Sequence, residues 1–114
     1  MGDRANIWIK ENENDSGVWL YTHWSGSELP SILQTALTNR WRWKDSPYLT
    51  RIIFCEMVKG QEREETGFGI SSECTDGDDR VLIVNVQEQT VTVDSRKWTF
   101  EEFIWLPDVN NIWN

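Results

Sequence analysis

Alternating apolar and polar residues predict two strands near the start of the chain. Residues 6–10 (NIWIK) and 18–24 (VWLYTHW) show the two-residue period of a half-buried strand, and the polar residues 11–17 between them are typical of a turn. We therefore expect a hairpin. Side chains two positions apart point to the same face of a strand, so Tyr21 and His23 are predicted to share a face and to form one wall of a pocket.

Two helices are predicted next. Between residues 29 and 37 the apolar residues recur at i, i+3, i+4, i+7 and i+8, which is the period of an amphipathic helix, and Ser27 is its predicted N-cap. Ser46 and Pro47 begin the second helix as N-cap and first residue, and Gly60 ends it. Apolar side chains cover most of the circumference of this second helix, so we expect it to be the more buried of the two.

Three further strands are predicted in the second half of the chain. Residues 81–86 (VLIVNV) are apolar on both faces apart from Asn85, and we expect them to form the central strand, covered on both sides or by a partner chain. A hairpin turn is predicted around Asp76-Gly77. The two other strands are residues 67–71 (GFGIS) and residues 90–94 (TVTVD).

A short C-terminal helix completes the predicted elements. Thr99 is a suitable N-cap for residues 100–104, and the helix is expected to end before Pro107. The residues after it are expected to be a loose tail unless Trp105 and Trp113 dock against the domain.

These elements predict an α+β fold, in which an antiparallel sheet of about five short strands packs with two main helices and a short C-terminal helix. A chain of 114 residues has the usual size of one domain. We assign residues 1–114 to a single domain, with a core over residues 6–106 and a tail over residues 107–114.

The net charge of −8 limits the possible partners. A field of that sign repels phosphates and acidic lipids, so long nucleic acid and a membrane surface are not expected, whereas a basic protein surface suits it. No apolar run approaches the roughly 18 residues of a spanning helix, and the start MGDRANIWIK lacks the apolar segment of a secretory leader. We therefore expect a cytoplasmic protein.

No cofactor and no metal are indicated. Cys55 and Cys74 are too few and too far apart for a zinc site, and we expect free thiols, with Cys55 inert in the core of the second helix. The acidic residues 73–80 (ECTDGDDR) lack the spacing and the terminal glutamate of a calcium loop.

The densest basic and aromatic cluster lies between Arg40 and Arg51, where Arg40, Arg42, Lys44 and Arg51 oppose a single acid, Asp45. Most of the eight tryptophans are expected in the core. Aromatic faces also stack on bases, however, and guanidinium groups bind phosphate with two parallel hydrogen bonds. The cluster therefore favours a small anionic aromatic ligand that resembles a nucleotide.

His23 is the only histidine, the residue type that most often acts as a general base near neutral pH. Asp45, Glu65 and Tyr21 are its candidate partners. Catalysis also requires an orienting group and a substrate site, and the sequence shows neither, so we predict no catalytic residues.

Three segments resemble a group of small bacterial, prophage and phage proteins that has no established activity. They are YTHW (21–24), RWKD followed by YL and RIIF (42–54), and ETGFGIS (65–71). The resemblance covers about residues 18–93. It implies a small accessory protein in the bacterial host cytoplasm, where inhibitors of host defence and sponges for signalling nucleotides are found. The pattern includes Arg42-Trp43 but not Arg40-Trp41, which gives the former pair more weight.

The favoured hypothesis is a non-enzymatic binder that sequesters a small anionic aromatic ligand. Its predicted binding residues are Tyr21, His23, Arg42, Trp43, Asp45 and Arg51. One alternative is an inhibitor that meets a basic host protein with its acids: Glu62, Glu64, Glu65, Asp76, Asp78 and Asp79. Another is a small hydrolase or transferase with His23 as its base. The apolar central strand and the many tryptophans also predict a homo-oligomer.

Overall fold

A six-stranded mixed sheet organises the chain, which the computed structural model describes over residues 2–65 and 67–114. The strands are β1 (Ala5–Lys10), β2 (Val18–Thr22), β3 (Phe68–Ser71), β4 (Val81–Asn85), β5 (Thr90–Val93) and β6 (Arg96–Thr99). Their order across the sheet is β3-β2-β1-β4-β5-β6. The helices are α1 (Leu29–Thr38), α2 (Ser46–Met57) and α3 (Phe100–Ile104), with 3₁₀ helices at Gly26–Glu28 and Val109–Trp113.

The α+β prediction is confirmed, with two differences in the sheet. The sequence analysis missed β6 because its segment, RKWT, is mostly exposed and lacks an apolar period. The predicted antiparallel sheet is in fact mixed, since β1 pairs with β4 in parallel while the other neighbours are antiparallel. A parallel pair requires a long crossover connection, which residues 11–80 supply here.

One face of the sheet carries the core and packs against α1 and α2. Ile7 of β1 stands beside Leu20 of β2 and Leu82 of β4, and all three side chains are fully buried. Removing this apolar surface from water is the main stabilising contribution to the fold. The helices contribute equally buried side chains to the same core: Leu29, Leu33, Leu37, Leu49 and Ile53.

The opposite face of the sheet carries aromatic and polar side chains. Trp8 and Trp19 are paired in register and stack with their ring centroids 4.5 Å apart. Tyr21 lies on the same face and covers Gly69 of β3, where an added Cβ would come within 2.2 Å of the tyrosine side chain. Only glycine therefore fits beneath this ring.

The first helix, α1, is more buried than α2, so the opposite prediction was wrong. In α2 the buried residues are Leu49, Ile53 and Met57, because one stripe of this helix faces the sheet. Of its other apolar residues, Ile52 and Phe54 are half-buried and pack against the core, and the rest are exposed. Cys55 is among these, and its thiol is exposed rather than inert in the core as predicted. The five buried residues of α1 are Leu29, Pro30, Leu33, Ala36 and Leu37.

The helix caps differ in part from those predicted. Ser27 lies in the 3₁₀ helix before α1, and its backbone N–H donates to Asp3 Oδ2 at 2.9 Å, so it does not act as the N-cap. Asp45, one residue before the predicted Ser46, caps α2 by accepting a backbone N–H of the first turn. Thr99 caps α3 as predicted and forms a capping box.

Asp3 ties the start of the described chain to two other segments. Its carboxylate accepts the Ser27 N–H and pairs with Arg80 at 2.5 Å. Burial alone raises the pKa of Asp3, but the hydrogen bonds from Ser27 and Arg80 outweigh burial and lower it. The Asp3 carbonyl also accepts the Gly26 N–H at 2.7 Å, and the Gly26 carbonyl in turn accepts the Trp113 indole N–H at 2.9 Å.

The C-terminal residues pack against the domain. Val109 and Ile112 are each only 6% exposed and belong to the core. Of the two tryptophans for which docking was considered, Trp113 docks whereas Trp105 is 72% exposed. The core therefore continues beyond residue 106, where the sequence analysis ended it.

Residues 72–80 cross the sheet instead of forming the predicted hairpin turn. The strands that they join, β3 and β4, are separated in the sheet by β2 and β1. Asn6, on the face of β1 opposite the helices, donates its amide to the carbonyl oxygens of Thr75 and Asp76 at 2.9 and 2.7 Å. Because Asn6 is fully buried, these hydrogen bonds hold the crossing segment against the sheet.

We predict that Asn6→Ala lowers the free energy of unfolding by about 1–3 kcal/mol, because the carbonyl groups of the crossing segment lose their buried donor. Equilibrium unfolding in urea measures this change. The control is Asn14→Ala in the exposed turn between β1 and β2, for which we expect a change below about 0.5 kcal/mol. Equal losses in the two variants would contradict the role assigned to Asn6.

Candidate functional site

A cleft of about 480 Å³ lies beside the outer side of α2. Its walls come from the end of α1, from the connection 39–45 and from α2 itself, and it extends to Glu62 in the loop that follows. The side chains in it that can recognise a ligand by charge or by stacking are Trp41, Arg42, Tyr48, Arg51, Glu56 and Lys59.

The helical period of α2 divides its side chains between the core and the cleft. Leu49 and Ile53 are four residues apart and face the core. Tyr48, Arg51 and Cys55, spaced by three and four residues, lie on another stripe and face the cleft. This geometry explains why an arginine occurs within an otherwise apolar segment.

Two guanidinium groups meet at one tyrosine ring. The Cζ atoms of Arg42 and Arg51 each lie 4.6 Å from the ring centroid of Tyr48, within the range of a cation–π interaction. Arg51 also donates to Cys55 Sγ at 3.7 Å, and this hydrogen bond, together with one to Tyr48, raises the pKa of Arg51. Arg42 lies 4.0 Å from Asp45, an exposed ion pair that contributes little.

The backbone of the connection 39–45 decides which side chains reach the cleft. Arg40 and Arg42 have φ angles of 59° and 58°, in the left-handed region that residues other than glycine rarely adopt. As a result Trp41 and Arg42 lie at the cleft, while Arg40 and Trp43 contact the region of α3.

Arg40 and Trp43 hold this strained backbone in place. Arg40 pairs with both carboxylate oxygens of Glu101, with Nη2 2.8 Å from Oε2. The Trp43 indole N–H donates to the carbonyl of Leu37 at 3.1 Å, and its ring packs edge-on against Phe100 at a centroid distance of 5.3 Å. These contacts compensate a backbone strain on the order of 1–3 kcal/mol per left-handed residue.

The structure brings part of the predicted site together. Arg42 and Arg51 line the cleft, and Asp45 lies next to it as the partner of Arg42 and the cap of α2. Trp43 does not line the cleft, because its ring and its indole N–H are used within the domain. Trp41 lines the cleft instead, with 62% of its surface exposed.

Tyr21 and His23 lie away from the cleft. Tyr21 is on the sheet face opposite the helices, with its ring 5.2 Å from that of His23, and His23 also lies 6.4 Å from the Trp24 ring. Within residues 2–65 and 67–114 no hydrogen bond reaches the His23 imidazole, so neither Asp45 nor Glu65 orients it.

Tyr48 and Lys59 were not predicted from the sequence, and Trp41 was set aside in favour of Trp43 because the resemblance includes Arg42-Trp43. The spacing of Tyr48, Arg51, Cys55 and Lys59 places them on one stripe of a helix, and this period was available in the sequence. No comparable pattern separates Trp41 from Trp43, because their directions depend on the two left-handed arginines.

The acids of the inhibitor hypothesis lie in two loops. Glu62 is at the cleft, and Asp76 in the crossing segment pairs with Arg4 at 3.5 Å.

The pKa of the Cys74 thiol is raised mainly by burial and to a smaller extent by the negative charges of Asp78 and Asp76. Among the residues that the structure describes, no group of three or more His, Cys, Asp or Glu side chains is arranged to hold a metal ion.

Comparison with known proteins gives no relative of this chain: no family model, no curated protein and no solved structure matches it. In the described part of the chain, no helix has the length and apolar character needed to cross a bilayer. The geometry of the cleft is therefore the basis for assigning a function.

The Arg40–Glu101 pair predicts an acid-sensitive contribution to stability. Hydrogen bonds from Arg40 and then from Trp105 lower the pKa of Glu101 from 4.5 to about 2. Since this pKa is lower in the folded protein than in the unfolded chain, the contribution is complete above about pH 4.5 and is lost as the pH falls towards 2. We expect Glu101→Gln to lose less stability than the wild type over this range.

Urea unfolding at several pH values in this range measures the difference. Glu13→Gln, in the exposed turn between β1 and β2, removes a carboxylate that has no side-chain partner in the described chain and should follow the wild type. An acid dependence that is the same in Glu101→Gln and in the wild type would show that the ion pair does not make this contribution.

Proposed function

We propose that this protein binds a small anionic aromatic ligand of the nucleotide class in the cleft and sequesters it without chemical turnover. The observation that carries the proposal is the meeting of Arg42 and Arg51 at the Tyr48 ring, beside the exposed face of Trp41. Guanidinium groups supply hydrogen bonds for a phosphate, and the indole supplies a surface on which a base can stack.

The charges around the cleft support an anionic ligand. In the described chain Arg51 forms no ion pair with a carboxylate, and the only such partner of Arg42 is the exposed Asp45, 4.0 Å away. The guanidinium N–H groups that are not bonded to Cys55 or Tyr48 are therefore available to a ligand. Lys59 adds a third cation, and Glu56 and Glu62 contribute two carboxylates, so the charged side chains that line the cleft sum to +1, although the whole chain has a net charge of −8.

The size and the acids of the cleft narrow the ligand class. A volume of about 480 Å³ suits a small molecule. Glu56 and Glu62 also line it, and their carboxylates accept hydrogen bonds from hydroxyl or amino groups, which the sugar and the base of a nucleotide supply. The net negative charge opposes a long polyanion, so a mononucleotide or a cyclic dinucleotide fits better than a polynucleotide.

His23, the candidate general base, lies outside the cleft. Its position favours binding without turnover. The resemblance to phage and prophage proteins gives such binding a biological setting, in which an accessory protein removes a signalling nucleotide from the host cytoplasm. Sequestration requires only affinity and abundance, and affinity is favoured because contacts of Arg40 and Trp43 hold the backbone that carries Trp41 and Arg42.

We predict that isothermal titration with the four ribonucleoside 5′-monophosphates and the cyclic dinucleotides of adenine and guanine identifies at least one ligand. For that ligand, Arg51→Gln should weaken binding at least about tenfold, because a charge-assisted hydrogen bond contributes about 1.5–3 kcal/mol. Trp41→Ala should weaken binding by a similar factor through lost stacking. Added salt should weaken binding by the wild type.

The matched control is Lys97→Gln, which also removes one positive charge but lies on the opposite face of the sheet, where Lys97 pairs with Glu88. Its affinity should equal that of the wild type. Failure of every compound in the panel to bind, or equal affinities for Arg51→Gln and Lys97→Gln, would overturn the proposal. Circular dichroism of each variant shows whether its fold is retained.

A further inference from the structure

The strand β3 forms one edge of the sheet and has no charged residue. Its sequence is Phe68-Gly69-Ile70-Ser71, and its only neighbour is β2. Edge strands usually carry charges or proline, which prevent pairing with another chain. The other edge of this sheet follows that rule, since β6 carries Arg96 and Lys97. The two edges therefore differ in their ability to pair.

The register shows which backbone groups of β3 are free. The His23 N–H donates to the Gly67 carbonyl at 3.1 Å, which makes these residues a hydrogen-bonded pair. In an antiparallel ladder such pairs alternate, so Gly69 and Ser71 also point their backbone groups towards β2. The N–H and C=O groups of Phe68 and Ile70 consequently point away from the sheet.

Apolar side chains accompany these free backbone groups. Six large apolar side chains are exposed in the part of the chain that the structure describes, and three of them lie on this edge or beside it. Ile70 is 59% exposed within β3, and Trp24, 60% exposed, covers Gly67 at one end of the strand. Val18 is at the other end, next to the residue that pairs with Ser71.

We propose that β3 pairs with β3 of a second copy of this chain, antiparallel about a two-fold axis through Gly69. In this register Phe68 faces Ile70 of the second copy and exchanges both backbone hydrogen bonds with it. All four of these apolar side chains then lie on the same face. The two sheets become one continuous sheet with twice the six strands of a single chain.

Gly69 makes this register favourable. Two residues that face each other in a non-hydrogen-bonded pair have Cα atoms only about 4.5 Å apart, and Gly69 meets its own copy in such a pair. The absence of a side chain there avoids a contact across the axis on the face that Tyr21 already covers. Residues with larger side chains on each side of the axis supply the apolar contacts.

A second copy fits this edge by symmetry and by the absence of charge. Two chains that each carry a net charge of −8 repel each other, so they associate most readily where no charge lies in the contact. The segment 68–71 meets this condition, and it is self-complementary because Phe68 and Ile70 exchange places across the axis. Added salt should therefore strengthen the dimer, in contrast to its expected effect on ligand binding.

Sedimentation equilibrium over a wide range of protein concentration tests the proposal. The wild type should approach twice the 13.4 kDa of one chain, and Ile70→Lys should raise the dimer dissociation constant at least tenfold, because a charge is placed against Phe68 of the second copy. The control is Trp105→Lys, which puts the same charge at another strongly exposed apolar position, and it should associate as the wild type does.

Amide hydrogen exchange provides a second readout that requires no variant. In the dimer the amides of Phe68 and Ile70 should exchange slowly, and dilution to the monomer should raise their exchange rates at least tenfold. Rapid exchange of these two amides in a sample that sediments as a dimer would place the interface elsewhere and overturn the proposal. A wild type that remains at 13.4 kDa at every concentration would also overturn it.

Discussion

The parallel pairing of β1 with β4 is the constraint on which the rest of the structure depends. Two neighbouring parallel strands cannot be joined by a turn, so the chain between them must travel along the sheet and return to its starting end. Residues 11–80 do this through β2, two helices and the edge strand β3, and then cross the face opposite the helices. Asn6, at the start of the parallel pair, donates hydrogen bonds to the returning segment.

The cleft follows from the packing that this route imposes on α2. Only one side of the sheet receives helices, and α1 takes the more buried position, so one stripe of α2 remains at the surface. Tyr48 and Arg51 occupy that stripe. The connection 39–45 then adds Trp41 and Arg42 from the side, held by contacts of their immediate neighbours with Glu101 and Phe100. Arg40 and Trp43 therefore stabilise the connection, whereas Trp41 and Arg42 lie at the cleft.

Features that depend on a local period could be predicted from the sequence, whereas features that depend on distant segments could not. The strands β1 to β5 and all three α-helices follow from hydrophobic spacing and capping residues such as Thr99. Asn6 occupies an ordinary polar position in an alternating strand, and its burial arises from a partner 69 positions away. The parallel pairing has the same origin, since it too depends on the return of the chain.

The candidate site was predictable to a similar extent. Arg51 was identified from the concentration of basic residues in an acidic chain, Arg42 was preferred to Arg40 because of the resemblance, and both line the cleft. The sequence pattern could not show that Trp41, rather than Trp43, lines the cleft. Hydrophobic periods assume ordinary backbone angles, whereas two residues here are left-handed. Tyr21 was grouped with this cluster by its chemistry, although the sheet separates its face from the helices.

Gly26 gives the fold a property of a different kind. Its N–H and its carbonyl bind Asp3 and Trp113, so positions near the two ends of the chain lie on either side of a single residue. The order in which the elements follow each other is therefore separable from their arrangement in space. A short linker between Asp3 and Trp113, with the exposed loop at residues 61–65 opened instead, would give a circularly permuted chain with the same sheet.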